Sequence, residues 1–287
     1  MKTEDTLFCA PTSTLSELNN LFIELTEKNC NQRCKHCYID FPINKKIKDF
    51  IQIDKIKEAL SQTKNEPLNC IYLTGAEPMT HPDFNSILRL CLTRTNVCIC
   101  TNGSFINEKK ARFLKKVENE SEFSIIFQLP IDHYNEIQND DIRSRGSYRQ
   151  VIHAIKNLNK YDFYIVLNIT NYYNEDKKSL ISEFTKTLKN FDIEPTDINF
   201  KINEFFNKNS FTDEIKYSKT TDFDCKNSRI LTSKGVYSCP FLANDYRGRM
   251  GSDFTDYAKK IHLETPYCST CIKNEKSMFA LDNKIFV

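Results

Sequence analysis

The sequence predicts an α/β fold with a parallel sheet, followed by a small cysteine-rich unit. Three observations carry this. Short apolar runs alternate with helical periods six times between Leu21 and Ile202. The helical stretches place apolar residues three and four apart, with capping residues before some of them. After about Phe206 the alternation stops and the chain becomes polar, irregular and rich in cysteine.

The elements follow in order. LFIEL (21–25) reads as the first strand, and a cysteine loop follows it directly. Ile53, Ile56 and Leu60 mark a helix face. CIYLT (70–74) is the second strand, and Phe84, Ile87, Leu88 and Cys91 give the next helix by their i, i+3, i+4, i+7 spacing. NVCICTN (96–102) is the third strand. Asn107 is placed to cap a helix carrying Ala111, Leu114 and Val117. FSIIFQL (123–129) is the fourth strand. Ser147 and Gln150 have capping-box spacing ahead of Val151, Ile155 and Leu158. FYIVLNI (163–169), the face Leu180, Ile181, Phe184, Leu188, and INFKI (198–202) complete the alternation. Right-handed crossovers leave a barrel, open or closed, or a doubly wound sheet, and periodicity does not choose between them. The expected organisation is an N-terminal tail over 1–17, a core over 18–206 and a small metal-stabilised domain over 207–287.

Composition narrows the function. The chain has 287 residues, and 40 basic against 38 acidic residues give a formal charge of +2. That balance argues against nucleic acid or a polybasic membrane anchor as partner. No apolar run approaches the ~20 residues that span a bilayer. Met1 to Pro11 lacks the basic-then-apolar pattern of a signal peptide, so the expected location is the cytoplasm. The chain has 12 cysteines but only 6 glycines and no tryptophan. In a reducing compartment, clustered cysteines hold metal more often than disulfides. Cys30, Cys34 and Cys37 form one cluster and Cys225, Cys239, Cys268 and Cys271 another. Cys9, Cys70, Cys91, Cys98 and Cys100 are scattered, and the last four fall on strands or helix faces as small hydrophobes.

The first cluster reads Cys30-Asn-Gln-Arg-Cys34-Lys-His-Cys37. Three thiolates on one loop can hold three irons of a cubane and leave the fourth open to a small molecule. Structural zinc would want a fourth ligand, and His36 beside Cys37 is strained for that purpose. CxxxCxxC directly after the first strand resembles the signature of the radical S-adenosylmethionine (SAM) superfamily. The resemblance implies a partial (β/α)6 barrel, a [4Fe-4S] cluster at its C-terminal mouth, and SAM on the open iron. It places His36 against the adenine. LeuThrGlyAlaGluPro (73–78) resembles the family's GGEP motif, with Ala76 in place of the second glycine. Gly75, Ala76 and Glu77 would then meet the methionine amino group, and Ala76 permits this only with a negative φ. Thr101-Asn102-Gly103 resembles the family's TNG, which gives Thr101 a ribose or methionine contact; an ordinary Asn-Gly turn is the alternative. Gln128 stands where relatives often carry a ribose-facing serine. Residues 140–148 resemble the D-x-IRG-x-GSF run, which would pair Arg143 with the SAM carboxylate; a solvated surface arginine is the alternative. Asp132 and His133 form an adjacent acid and base, but polar loops contain such pairs by chance, and they receive no role. No catalytic acid, base or hydrogen donor is legible.

The C-terminal cysteines, with Gly235-Val-Tyr-Ser-Cys239-Pro and Cys268-Ser-Thr-Cys271, resemble the SPASM/twitch subfamily. Four of them imply one auxiliary [4Fe-4S] cluster, as in the shorter twitch form, and a tetrahedral zinc site is the other reading. The implied activity is reductive SAM cleavage to a 5′-deoxyadenosyl radical, then hydrogen abstraction from a small metabolite or a peptide. Dehydrogenation, epimerisation or C–C or C–S bond formation would follow. An electron donor such as flavodoxin or ferredoxin is implied. A first strand near Leu21 leaves no room for an N-terminal peptide-recognition domain, which weakens the peptide reading. A zinc-binding interaction protein without catalysis is the alternative from a different class.

Overall fold

The computed structural model describes residues 12–39, 49–205, 224–263, 265–274 and 277–281; Cys9 and the boundary expected near residue 206 lie outside them. The strands are β1 (Thr12–Thr14), β2 (Asn20–Thr26), β3 (Cys70–Gly75), β4 (Asn96–Cys100), β5 (Ile125–Pro130), β6 (Tyr164–Asn171), β7 (Ile198–Glu204), β8 (Ser228–Thr232), β9 (Gly235–Tyr237), β10 (Arg249–Gly251) and β11 (Lys260–His262). The helices are α1 (Ile53–Gln62), α2 (Phe84–Leu92), α3 (Glu108–Asn119), α4 (Glu136–Ile142), α5 (Ser147–Asn159), α6 (Lys177–Asn190), α7 (Asp224–Asn227) and α8 (Pro266–Asn274).

Strands β2 to β7 lie side by side in sequence order, all parallel. Alternation along them decides which side is covered. Leu21, Ile23 and Leu25 of β2, Ile71 and Leu73 of β3, and Phe127 and Leu129 of β5 share one core with the buried faces of α1, α2, α3, α5 and α6. Each fully buried Leu, Ile or Phe there contributes roughly 1.5–3 kcal/mol. The intervening residues Phe22, Tyr72, Cys98, Ile126 and Val166 point to the opposite face, which carries a second, smaller cluster without helix residues. Ala280 and Leu281 cover part of that face.

Three features differ from expectation. The segment from Asp224 onward joins the core sheet: β8 pairs parallel with β2, and β9 and β10 extend the edge antiparallel. Within the expected N-terminal tail, β1 pairs with β11. The capping box at Ser147 does not form. Gly146 caps α5 with φ 82°, and the Ser147 hydroxyl donates to Asp140 instead. That carboxylate also takes the Tyr148 N–H, so the preceding helix α4 closes this helix end. By contrast, the Asn107 side chain accepts from Lys110 N at 2.9 Å, capping α3 as its sequence predicts. No described helix is long and apolar enough to cross a membrane.

Candidate functional site

The cysteine loop leaves the C-terminal end of β2, where loops at the ends of parallel strands collect functional side chains. Cys30, Cys34 and Cys37 are all partly exposed there. Backbone bonds shape the loop: Cys37 N–H donates to Cys34 O at 3.1 Å, and Lys35 N–H to Ile142 O at 2.8 Å. Cys30 Sγ faces Gln32 N–H at 3.3 Å and Asn102 Nδ2 at 3.7 Å. Burial pushes the Cys34 thiol up to about 11, and the Arg143 cation works against that. A thiolate at Cys34 therefore needs positive charge beyond Arg143, as a metal centre supplies.

A buried ionic knot lies behind the loop. Asp132, fully buried after β5, meets His36 Nε2 at 2.7 Å and accepts from Arg143 Nη1 at 2.9 Å. Thr170 N–H donates to its other oxygen at 3.0 Å. Burial alone would raise the Asp132 pKa, but the charges of His36 and Arg143 outweigh it and hold the carboxyl below its usual range. Arg143 also reaches Gln32 Oε1 at 3.4 Å and is itself buried. It is therefore not a solvated surface arginine.

The turn after β3 sits against this loop. Gly75 has φ 119°, and a Cβ there would lie 2.3 Å from Thr26 O, so only glycine fits. Described non-glycine residues with positive φ are Asp162, Asn174, Asp192 and Asn244, so Ala76 keeps a negative φ and its N–H reaches Thr26 O at 2.9 Å. Glu77 is fully buried. It accepts from Thr101 Oγ1 at 2.7 Å, Asn102 N–H at 2.8 Å and Met79 N–H at 3.1 Å. Burial pushes Glu77 up to about 7, against those three donors, which pull it down. Both Glu77 and Thr101 thus tie the β3 turn to the β4 turn. Gln128 lies on the helix-free face of β5, where the Cys98 and Cys100 thiols approach its Oε1 at 3.9 and 3.6 Å.

The radical SAM superfamily model matches residues 27–183, which is more than half of the chain and holds this entire arrangement. The chain belongs to the radical SAM superfamily. A solved structure agrees in fold. Described as anSMEcpe with bound AdoMet, it aligns with a TM-score of 0.62 at 15% identity, over 84% of this chain and 78% of that one. Another, BtrN in complex with AdoMet and 2-DOIA, aligns at 17% identity with a TM-score of 0.46, over 83% and 79% of the two chains. No curated protein matches the sequence.

As a radical SAM protein, the chain is implied to hold a [4Fe-4S] cluster and SAM, and its donor set fits them. Three thiols share one loop, N–H groups face a sulfur, and Arg143 is a buried cation beside Cys34. Among the described residues, no group of three or more His, Cys, Asp or Glu side chains is already gathered closely enough to hold a metal ion.

The four C-terminal cysteines come together from three places: Cys225 on α7, Cys239 after β9, and Cys268 and Cys271 on α8. All four line one pocket with Phe241, Leu242, Ile261, Leu263, Tyr267 and Phe279. Burial pushes Cys225 up to about 11 and raises Cys239 and Cys271 further. An aromatic partition separates this pocket from the first loop. Tyr38, beside Cys37, packs edge-on to Phe241 at 5.5 Å, and Phe241 stacks on Tyr267 at 4.8 Å.

Cys70, Cys91 and Cys98 are buried as expected, while Cys100 is partly exposed on the helix-free face. Sequence reasoning left Asp132 without a role, although its position just past a strand end was a usable signal. Asp224 was also missed. Its carboxylate accepts from Met278 N–H at 2.8 Å, Ala280 N–H at 3.0 Å and Phe279 N–H at 3.1 Å, and it meets the Ser277 hydroxyl. It holds the stretch covering the helix-free face, and no spacing in the sequence signals that.

Proposed function

We propose that this radical SAM enzyme has a partial (β/α)6 barrel and a SPASM/twitch-type C-terminal segment carrying an auxiliary [4Fe-4S] cluster, and that it acts on a small metabolite or a peptide. Strand order supports the barrel. Strands β2 to β7 never reverse order, and the connecting helices share one core on one face. A doubly wound sheet would reverse its order and place helices on both faces. The helix-free face is then the inside of the curl. The observation that carries the second cluster is the convergence of Cys225, Cys239, Cys268 and Cys271 on one apolar pocket.

In this reading Cys30, Cys34 and Cys37 hold three irons, and His36, Gly75, Ala76, Glu77, Thr101, Gln128 and Arg143 surround SAM. When bound, the cluster and SAM supply a 5′-deoxyadenosyl radical that removes a hydrogen atom from a substrate C–H. The protein contributes position and dryness. Asp132 keeps His36 and Arg143 beside the cysteine loop, Glu77 locks the β3 and β4 turns together, and Phe22, Tyr72 and Ile126 line the inner face with apolar surface. The auxiliary centre has four ligands, which leaves it electron transfer or structural support. A flavodoxin- or ferredoxin-type donor in the cytoplasm would supply the electron. The chemistry is that of an oxidoreductase or tailoring enzyme.

Anaerobic reconstitution tests this. Roughly eight irons with matching labile sulfide per chain are expected, as two cubanes require, together with 5′-deoxyadenosine release under reduction. Stoichiometric zinc without labile sulfide would end the reading.

A further inference from the structure

On the helix-free face lies a carboxylate that the SAM and cluster assignments leave unused. Glu24 stands on the inner face of β2, in register with Thr74 of β3. It is only 5% exposed. Its Cγ is one of the atoms a Cβ on Gly75 would touch, at 3.3 Å, so it borders the β3 turn. On its other side Asn244, in the turn before β10, donates Nδ2 to Glu24 Oε2 at 2.7 Å. Asn244 adopts φ 65°, a left-handed backbone that asparagine tolerates and that places its amide here.

The hydrogen bonds around this pair do not balance. Glu24 takes the bond from Asn244 and forms no ion pair among the described residues; the nearby Lys234 is bound to Glu27 at 2.7 Å. Its Oε1 meets no donor among the described residues. Among the described residues the buried Asn244 Oδ1 has no partner, nor does Asp49 Oδ2, whose charge also reaches Glu24. Buried acceptors without donors are destabilising, so a donor brought to them is favoured. What the place lacks is a group rich in donors and positive in charge. Thr74, in register with Glu24, is part-exposed, as are Cys100 and Lys201 on the same helix-free face. Burial pushes Glu24 up to about 7, as expected of a carboxylate awaiting a counter-charge.

We infer that Glu24, steadied by Asn244, anchors the substrate, and that the substrate presents a primary amine, as its ammonium, to this carboxylate. The inference rests on the radical SAM reading above and names the substrate class for the same chamber. A neutral sugar or a peptide segment without an amine would supply donors to these acceptors but no charge to the carboxylate, and a purely anionic metabolite would be repelled by it.

The test uses the reconstituted protein saturated with SAM, and methylammonium as probe, with methanol and tetramethylammonium as controls. Methanol lacks the charge and tetramethylammonium lacks the N–H donors. Calorimetric titration should show methylammonium binding, with both controls at least about tenfold weaker, since a charge-assisted bond is worth about 1.5–3 kcal/mol. Glu24→Gln should weaken methylammonium by a similar factor, and Asn244→Ala by less. A preparation that fails to cleave SAM would count against the enzyme reading itself. A preparation that cleaves SAM but binds methylammonium no better than the controls would overturn this inference alone. Equal methylammonium affinity in wild type and Glu24→Gln would overturn it too. So would binding that disappears when SAM is added, because Glu24 would then serve the SAM amino group. If Glu24→Gln does not reach the wild-type melting temperature, Asn244→Ala decides: unchanged affinity there rejects the inference.

Discussion

The two cysteine groups of this chain contrast in ligand number and surroundings. The first has three cysteines on one loop, all partly exposed, with Asp132, Arg143, Gln32 and Asn102 bonded around them. The second has four, gathered from α7, the turn after β9, and α8 into a pocket walled by aromatic and aliphatic side chains. Polar, accessible walls suit a centre that must admit a charged small molecule. On the proposed reading, a mostly apolar wall with four ligands, Asp224 and Ser238 being its polar members, suits a centre that binds no small molecule. The same thiol chemistry is thus divided between exchange and closure by what lies next to it.

The sharpest way to break that comparison is to remove each group in turn. Replacing Cys30, Cys34 and Cys37 with alanine should abolish 5′-deoxyadenosine formation, because no open iron remains. Cys268→Ala should leave basal SAM cleavage largely present and lower substrate turnover much further. A cooperative melting temperature well below wild type would assign the second centre to folding, since metal-site free energy is folding free energy. A wild-type melting temperature with lost turnover would assign it to electron transfer. Equal loss of SAM cleavage in both variants would erase the distinction between the centres.

The sequence made the first group legible because all of its ligands lie on one loop after one strand. The six strand–helix units were legible for a similar reason: each is a local pattern, and Leu21, Ile23 and Leu25 announce their face by alternation alone. What stayed hidden is non-local. Strand β8 reaches β2 across some two hundred residues of chain, and nothing in either strand names the other. Asp132 looked like a chance neighbour of His133, yet its partners are His36 and Arg143 from two other segments. Ser147 had the right spacing for a cap, but Asp140 on the preceding helix α4 takes its hydroxyl. Local rules failed where another segment supplied the partner.

The ionic knot offers the next test. Asp132→Ala leaves Arg143 buried without its carboxylate, and breaking a buried pair from one side costs about 3–5 kcal/mol. Chemical denaturation of the variant should show a loss of that order. Asp132→Asn keeps the shape and should lose less. SAM affinity should fall in both, because His36 and Arg143 both lose their orientation. Were Asp132→Ala as stable as wild type, the polar wall of the first centre would not depend on this knot.

The smallest expected effect belongs to Glu77, and its sign depends on pH. Its carboxylate takes donors from Thr101, Asn102 and Met79. Glutamine offers one oxygen and turns an N–H₂ toward an existing donor, so Glu77→Gln should cost about 1–3 kcal/mol. Burial raises the Glu77 pKa from 4.5 to about 7 in the folded chain. A raised folded pKa means the folded state favours the protonated form, so stability from this group is full below about 4.5 and falls as pH rises to about 7. The neutral form fits because the Thr101 hydroxyl can turn from donor to acceptor and keep its bond to Glu77. The gap between wild type and Glu77→Gln, which does not titrate, should therefore narrow as pH rises from about 4.5 to about 7 in denaturation of the reconstituted protein, and level off above that. Thr101→Val removes the reversible hydroxyl and should weaken the low-pH advantage. A gap that widens with rising pH would mean that the three donors prevail over burial, so that Glu77 holds the two turns together as an anion.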